Sequence, residues 1–447
     1  QATDRAPSSA HRGPTVSSGP TTISHSARRR ESGRAASSAR SSASPSSDCS
    51  TMSGSRETDG APRILICRLS AIGDCLLTLP VLCALRDAFP HAYLAWVVQD
   101  LTAPLLRGHP DLDELVVLPR HWYTKPRQVL RARRLLRPLR VDVSVDPQSV
   151  TKSALAAWLS GATWRLGLDA PQTELARWFN NDNRPPTRRH LTDKSLDLLR
   201  PLGISEPARN WRLPPYDPEA ETVAGWQADA GLRPGEYLVI NPGATWGSKL
   251  WPPDRFAAVA REIGRETGTP TWVVWGGQRE RALAESIVAD APSAQLAPAT
   301  TLRELAEIIR GGRAFLASDT GPLHLAVALG VPSVGLYGPT RPVDCGPYGA
   351  PENTHPGLIG SPDDVQTGQQ HPTNDAAAED QLPSIGASAP RYGSNRALQA
   401  RYQPGSRKAR RRAPNDAMCE ITPDEVVAAL RPILRNDGSP PKNDFSA

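Results

Sequence analysis

Short apolar runs bounded by turn residues alternate along the middle of this chain with stretches whose apolar positions recur every three or four residues. The runs at 63–69, 93–98, 115–118, 141–146 and 164–168 read as buried strands. Between the first two, Leu76, Leu79, Leu82 and Leu85 predict a helix over 75–89. Further helices are predicted over 101–107, 128–139 (rich in arginine), 152–159 and 190–202. A proline-rich joint after Trp211 precedes a second series. It comprises helix 219–230, strand 237–241, helix 253–267, strand 271–275, helices 280–289 and 302–310, strand 314–317, a helix after Asp319 and strand 331–336. Alternation on this scale predicts an α/β fold, with two successive doubly wound domains at 62–215 and 216–349.

The unit at 314–336 organises the rest. Asp319, Thr320, Gly321 and Pro322 separate its strand from its helix and supply a cap and a first-turn proline. Gly330 and Pro332 end that helix. A polar turn at the carboxyl end of a parallel strand is where open sheets bind ligands. The free N–H groups of a helix start suit a phosphate oxygen. The same turn also suits a plain cap, and His324 a packed histidine. Asp74 ends the first strand beside Gly73 and a helix start, and is placed either as a base or as a cap. Lys249 lies in the loop after strand 237–241. It either neutralises a diphosphate leaving group in place of a metal ion or is solvated. Glu280, at a helix start, either accepts from a ribose or sugar hydroxyl or caps its helix.

Composition limits the flanks. Residues 1–61 are rich in Ser, Arg, Pro and Gly and predict a disordered tail; the first methionine, Met52, is the expected start of the natural chain. Residues 350–416 predict a disordered insertion. Its basic run, Arg407 to Arg412, reads as solvated charge rather than as a contact for lipid or nucleic acid. Thr422, Pro423 and Glu425 then start a last helix over 417–435, which must pack back on a domain already formed. The net charge is +6 over 447 residues, but much of the arginine excess lies in the flanking segments, so no nucleic-acid partner is expected. Six scattered cysteines without a C-x-x-C pair suit a reducing cytoplasm. No apolar run approaches the roughly 18 residues that span a bilayer. No G-x-G-x-x-G follows a strand, and no G-x-x-x-x-G-K-[ST] is present, which argues against dinucleotide enzymes and P-loop kinases. Metal-ligand spacing is also lacking, and neither metal nor cofactor is expected.

Four segments together resemble one family, the heptosyltransferases of glycosyltransferase family 9. They are RILICRLSAIGDCLLTLP at 63–80, VDVSVDPQSVTKSA at 141–154, NPGATWGSKLWP at 241–252 and DTGPLHLAVALGVP at 319–332, followed by GPYG at 346–349 and ITPDEV at 421–426. The resemblance covers about 62–349 and 417–435. It implies a GT-B fold, two Rossmann-like domains facing a cleft, with the acceptor domain first and the nucleotide-sugar domain second. It implies inverting, metal-independent transfer of heptose from ADP-heptose to the lipid-linked lipopolysaccharide inner core. The enzyme would be cytoplasmic, in peripheral contact with the inner membrane. By the same resemblance Asp74 would be the base and Lys249 would stabilise the departing diphosphate. Thr245, Asp319, Thr320, Gly321 and His324 would line the phosphate site, and Glu280 would bind the donor ribose. Ser70, Gly73 and Lys152 would lie on the acceptor side. Two other readings stay open: a GT-B transferase using another nucleotide sugar for a cell-envelope glycan, and a catalytically silent nucleotide-binding protein.

Overall fold

The computed structural model describes residues 61–170, 175–349 and 394–435, all within one compact unit, Asp59–Ala447. The expected tail at 1–61, with Met52, falls outside these residues except for its last position.

The front half runs β1 (Arg63–Cys67), α1 (Ile72–Ala88), β2 (Tyr93–Gln99), α2 (Ala103–Leu106), β3 (Glu114–Leu118) and α3 (Pro126–Leu136). It continues through β4 (Val143–Asp146), α4 (Thr151–Ser160), β5 (Trp164–Leu168), α5 (Ala176–Phe179), β6 (Asp182–Arg184) and α6 (Leu191–Asp197). The rear half begins with α7 (Asp217–Asp229), β7 (Leu238–Asn241), α8 (Pro253–Thr267), β8 (Thr271–Val273), α9 (Gly277–Asp290) and β9 (Ala294–Leu296). Then come α10 (Leu302–Arg310), β10 (Ala314–Ser318), α11 (Gly321–Ala328), β11 (Ser333–Leu336) and α12 (Pro342–Cys345). After 394 the chain adds β12 (Arg396–Leu398), α13 (Arg407–Arg412), α14 (Asp416–Cys419) and α15 (Pro423–Leu434).

The strands form two six-stranded sheets, ordered β3-β2-β1-β4-β5-β6 and β12-β11-β10-β7-β8-β9. Every pairing among them is parallel. Numbered within its own half, each sheet has the order 3-2-1-4-5-6, the dinucleotide-fold winding. Both faces of such a sheet are covered, so its strands are apolar throughout. In β1, Ile64 and Ile66 pack in the core that includes Leu76 and Leu79 of α1, while Leu65 and Cys67 pack with Ala132 of α3 and Ala156 of α4. That alternation is the two-residue period of a strand.

The winding sets where function can lie. Helices cross to opposite faces on the two sides of the first strand, which leaves a crevice beyond its carboxyl end. In the front sheet the crevice lies between β1 and β4, and in the rear sheet between β7 and β10. Asp74 and Lys152, in the first turns of α1 and α4, and Lys249 and Asp319, in the connections after β7 and β10, follow those four strands.

Pro80 lies inside α1 and cannot donate to the carbonyl of Leu76. The indole N–H of Trp211 donates to that carbonyl instead, at 2.8 Å. A proline that would weaken the helix therefore anchors the start of the link to the rear half. The last helix packs on α8. Thr422 and Glu425 form a capping box, and Arg431 and Arg435 clamp Glu266 at 2.7 and 3.0 Å.

The structure corrects the expected disordered insertion at 350–416 from residue 394 onward; 350–393 lie outside the described residues. β12 pairs with β11 through Arg396, Ala397 and Leu398, and the arginine run forms α13. A three-residue strand flanked by polar residues carries too little periodicity to stand out. The predicted helix at 190–202 is also shorter, because α6 stops at Asp197 and a tight turn, Arg200–Leu202, follows.

Replacing Trp211 by Phe leaves the Leu76 carbonyl without a donor, and we expect a loss of about 1–3 kcal/mol. In a Pro80→Ala background the restored amide takes over that carbonyl, so Trp211→Phe costs less there. Urea unfolding of the four proteins of this cycle measures the difference, and equal costs in both backgrounds would rule the explanation out.

Candidate functional site

The rear crevice holds an ion pair. Lys249 Nζ lies 2.5 Å from Asp319 Oδ2, joining the loop after β7 to the end of β10. Thr340 Oγ1 donates to the same carboxylate oxygen at 2.7 Å, and His324 Nε2 is 3.5 Å from the other. Asp319 is only 7% exposed. Burial alone would raise its pKa, but Lys249 and His324 outweigh that and hold the carboxyl below its ordinary range. The Asp319 amide donates to Leu336 O at 3.1 Å. Its N–H is thus already used, and its carboxylate carries negative charge. What it holds is Lys249.

Around this pair, four buried side-chain atoms have no hydrogen-bond partner among the described residues: Ser248 Oγ, Ser318 Oγ, Thr320 Oγ1 and His324 Nδ1. Thr320 is the N-cap of α11 but its hydroxyl caps nothing. Buried polar atoms are rarely left unpaired, and these four belong to residues next to the ion pair in sequence or space, which makes this a candidate place for a ligand. Gly321 opens the helix where a side chain would meet Ile72 of the front half at 3.4 Å. Thr245 is exposed in the same loop as Lys249. Glu280 accepts from Gly276 N at 2.9 Å, and its carboxyl occupies the space that a side chain at Gly243 would need. Burial pushes its pKa up.

The front crevice holds a second polar group. Asp74, in the first turn of α1, lies 2.9 Å from Arg68 Nη2 and accepts from Ala71 N at 3.3 Å. Its side chain is 44% exposed and so remains accessible. Arg68 is buried and also donates to Pro147 O at 3.0 Å, so it ties the loops after β1 and β4 together. Lys152 Nζ contacts Ser70 Oγ at 2.5 Å and Gln99 Oε1 at 3.2 Å. Burial draws the Lys152 ammonium down from its ordinary range. Sequence reasoning placed Ser70 and Lys152 together but missed Arg68, which lies inside the predicted strand run 63–69, and Gln99, just past the run 93–98.

The two groups meet. A side chain at Gly73 would fall 2.4 Å from His324 Cδ2, so the imidazole lies against bare backbone one residue from Asp74. Gly73 makes room for His324. Asp319, Lys249 and Asp74 all act electrostatically on the Cys345 thiol, whose pKa is raised chiefly by burial.

Among the described residues, Cys83, His109 and Asp111 are close enough together to hold a metal ion. Two of the three already have partners: His109 Nε2 lies 3.1 Å from Trp211 O and its Nδ1 accepts from Asp111 N, and Asp111 Oδ2 is ion-paired with Arg212 Nε at 2.7 Å. Cys83 is nine residues along α1 from Asp74, about 13 Å. The group is a structural knot apart from the crevices.

Two parallel six-stranded sheets of the same winding, with a carboxylate from one approaching a lysine-bearing crevice of the other, define a GT-B glycosyltransferase. Residues 129–362 match the profile of glycosyltransferase family 9 (heptosyltransferase), and the chain belongs to that family. It is 31% identical over 304 residues to lipopolysaccharide heptosyltransferase 1 of Pseudomonas aeruginosa, covering 64% of this chain and 81% of that one. It is 25% identical over 298 residues to the enzyme of that name from Escherichia coli K12, covering 64% and 91%. In three dimensions it resembles a family 9 glycosyltransferase from Veillonella parvula, with TM-score 0.62, 20% identity and coverage of 84% and 97%. It also resembles an E. coli heptosyltransferase solved with ADP-2-deoxy-2-fluoro heptose, with TM-score 0.59, 20% identity and coverage of 83% and 99%.

Because the folded Asp319 carboxyl titrates below its unfolded value, its contribution to stability is present above about pH 4 and is lost as the pH falls through that range. Asp319→Asn leaves Lys249 unbalanced in a nearly buried site and is expected to cost about 1–3 kcal/mol at pH 7. The gap between the two proteins then narrows below pH 4. Thermal melts from pH 3 to 8 test this, and parallel curves would contradict it.

Proposed function

We propose that this protein is an inverting, metal-independent heptosyltransferase that moves heptose from ADP-heptose to the lipopolysaccharide inner core. The observation that carries the reading is the crevice where Lys249, the start of α11 and four unpartnered buried polar atoms converge opposite Asp74. Two of the relatives named above are lipopolysaccharide heptosyltransferases, and the E. coli heptosyltransferase structure holds an ADP-heptose analogue.

In the proposed reaction Asp74 takes the proton of an acceptor hydroxyl, oriented by Arg68. The hydroxyl oxygen bonds to the anomeric carbon while the bond from that carbon to the ADP β-phosphate oxygen breaks on the opposite face. Inversion follows from that geometry. ADP leaves with its new charge met by Lys249 and by the partial positive charge at the start of α11. Thr245, Thr320, Gly321 and His324 complete the phosphate site, and Glu280 accepts from a donor ribose hydroxyl. Ser70 and Lys152 belong to the acceptor side. In this reading 62–215 is the acceptor domain and 216–349 the donor domain.

The acceptor is a lipid, which calls for peripheral contact with the membrane. No helix among the described residues is long and apolar enough to cross one. Instead, α3 exposes Arg127, Arg131, Arg133 and Arg134 together with Leu130 and Leu135. Arg137 lies against Gly161 at the end of α4. Trp158 on α4 and Trp178 on α5 are 51% and 77% exposed. Arginines beside exposed indoles suit an anionic headgroup layer.

Asp74→Ala is expected to lower transfer from ADP-heptose to a heptose-free core acceptor by at least about a hundredfold while leaving ADP affinity nearly intact. Retained turnover in that variant would overturn the assignment. For the membrane face, Arg131→Glu combined with Arg134→Glu is expected to reduce co-sedimentation with phosphatidylglycerol vesicles by about tenfold or more, at roughly 1 kcal/mol per arginine. Unchanged binding would move the contact elsewhere.

A further inference from the structure

The basic run at 407–412, read from sequence as solvated charge, packs as α13 against the turn Gly247–Lys249 of the donor loop. The two elements share one aromatic ring. Lys249 Nζ lies 4.6 Å from the centroid of the Trp246 ring, and the Arg407 guanidinium lies 6.0 Å from the same centroid. Arg407 is exposed, and this ring is its only side-chain partner among the described residues.

α13 is fixed in place by polar contacts on the side of the ion pair. Arg410 Nη1 donates to Pro339 O at 2.6 Å. Gln399 Nε2, just after β12, donates to Gly338 O at 3.2 Å and Thr340 O at 2.7 Å. Thr340 in turn donates to Asp319. The segment 395–412 therefore braces the loop behind the ion pair and carries a free cation to its edge.

The charge balance of the crevice gives that cation a purpose. Lys249 is neutralised by Asp319, so the pair brings no net positive charge to an incoming diphosphate. A helix start offers only about half a charge. We propose that Arg407 is a second cation for the donor's diphosphate, supplying the net positive charge that the Lys249–Asp319 pair lacks. The proposal rests on the reading of Lys249 as a diphosphate ligand, and the experiment separates the two.

Calorimetric titration of the full chain with ADP and with adenosine compares wild type, Arg407→Gln, Arg407→Lys and Lys249→Ala. Glutamine keeps most of the side-chain stem over Trp246 and removes only the charge. Arg407→Gln is expected to weaken ADP about three- to tenfold, with adenosine unchanged and with most of the loss recovered in Arg407→Lys. If Lys249→Ala loses ADP affinity and Arg407→Gln stays within about twofold of wild type, the proposal for Arg407 falls and the donor site stands. If neither variant loses affinity, both fall. A parallel loss of adenosine and ADP in Arg407→Gln would make Arg407 a scaffold residue and overturn the proposal.

Discussion

The close approach of α11 to α1 is the contact on which the rest of the site depends. At Gly73 a single added carbon would collide with the His324 ring, and at Gly321 it would press on Ile72. Two helix starts from different sheets can come this near only because each presents bare backbone. That proximity brings Asp74, which belongs to the front sheet, to the edge of a crevice whose cation belongs to the rear one. The halves also share a continuous apolar core, in which residues of α1 and β1 pack in one cluster with residues of α10, α11 and β10.

The same winding occurs twice in the chain and serves opposite electrostatic ends. In the front crevice the accessible group is a carboxylate, held from behind by a buried arginine. In the rear crevice the corresponding group is an ammonium, largely buried and held by a buried carboxylate. In each case a buried ion of opposite sign orients the working group and keeps it from wandering into solvent. In the proposed reaction Asp74 and Lys249 stay apart until the substrates bridge them, since direct pairing of the two would silence both.

Much of this was legible in the sequence because the fold puts informative residues at fixed places. The strands of a doubly wound sheet are apolar runs, and the turns after β1, β7 and β10 break those runs with Asp74, Lys249 and Asp319. The starts and ends of α8, α10 and α15 carry their own signals in proline, threonine and glycine. What escaped was either too short or too distant. β6, β9 and β12 are three residues each, less than two periods of a strand. The partner of Asp319 is 70 residues away, and no local pattern shows whether a carboxylate faces a phosphate or a lysine. Arg68 ends an apolar strand, where an arginine ordinarily marks the water line rather than a buried strut.

The described residues end at Gly349 and resume at Ser394, and the two sides of that break meet at one spot. Asn395 donates to the carbonyl of Tyr348 at 2.7 Å and accepts from Ser333 N at 3.0 Å. Departure and return are thereby stapled together beside the edge of the rear sheet. Closing a loop grows costlier only with the logarithm of its length, about 0.6 kcal/mol per doubling. The contacts that seal the junction are made by residues on its two sides, so they do not depend on how many residues lie between.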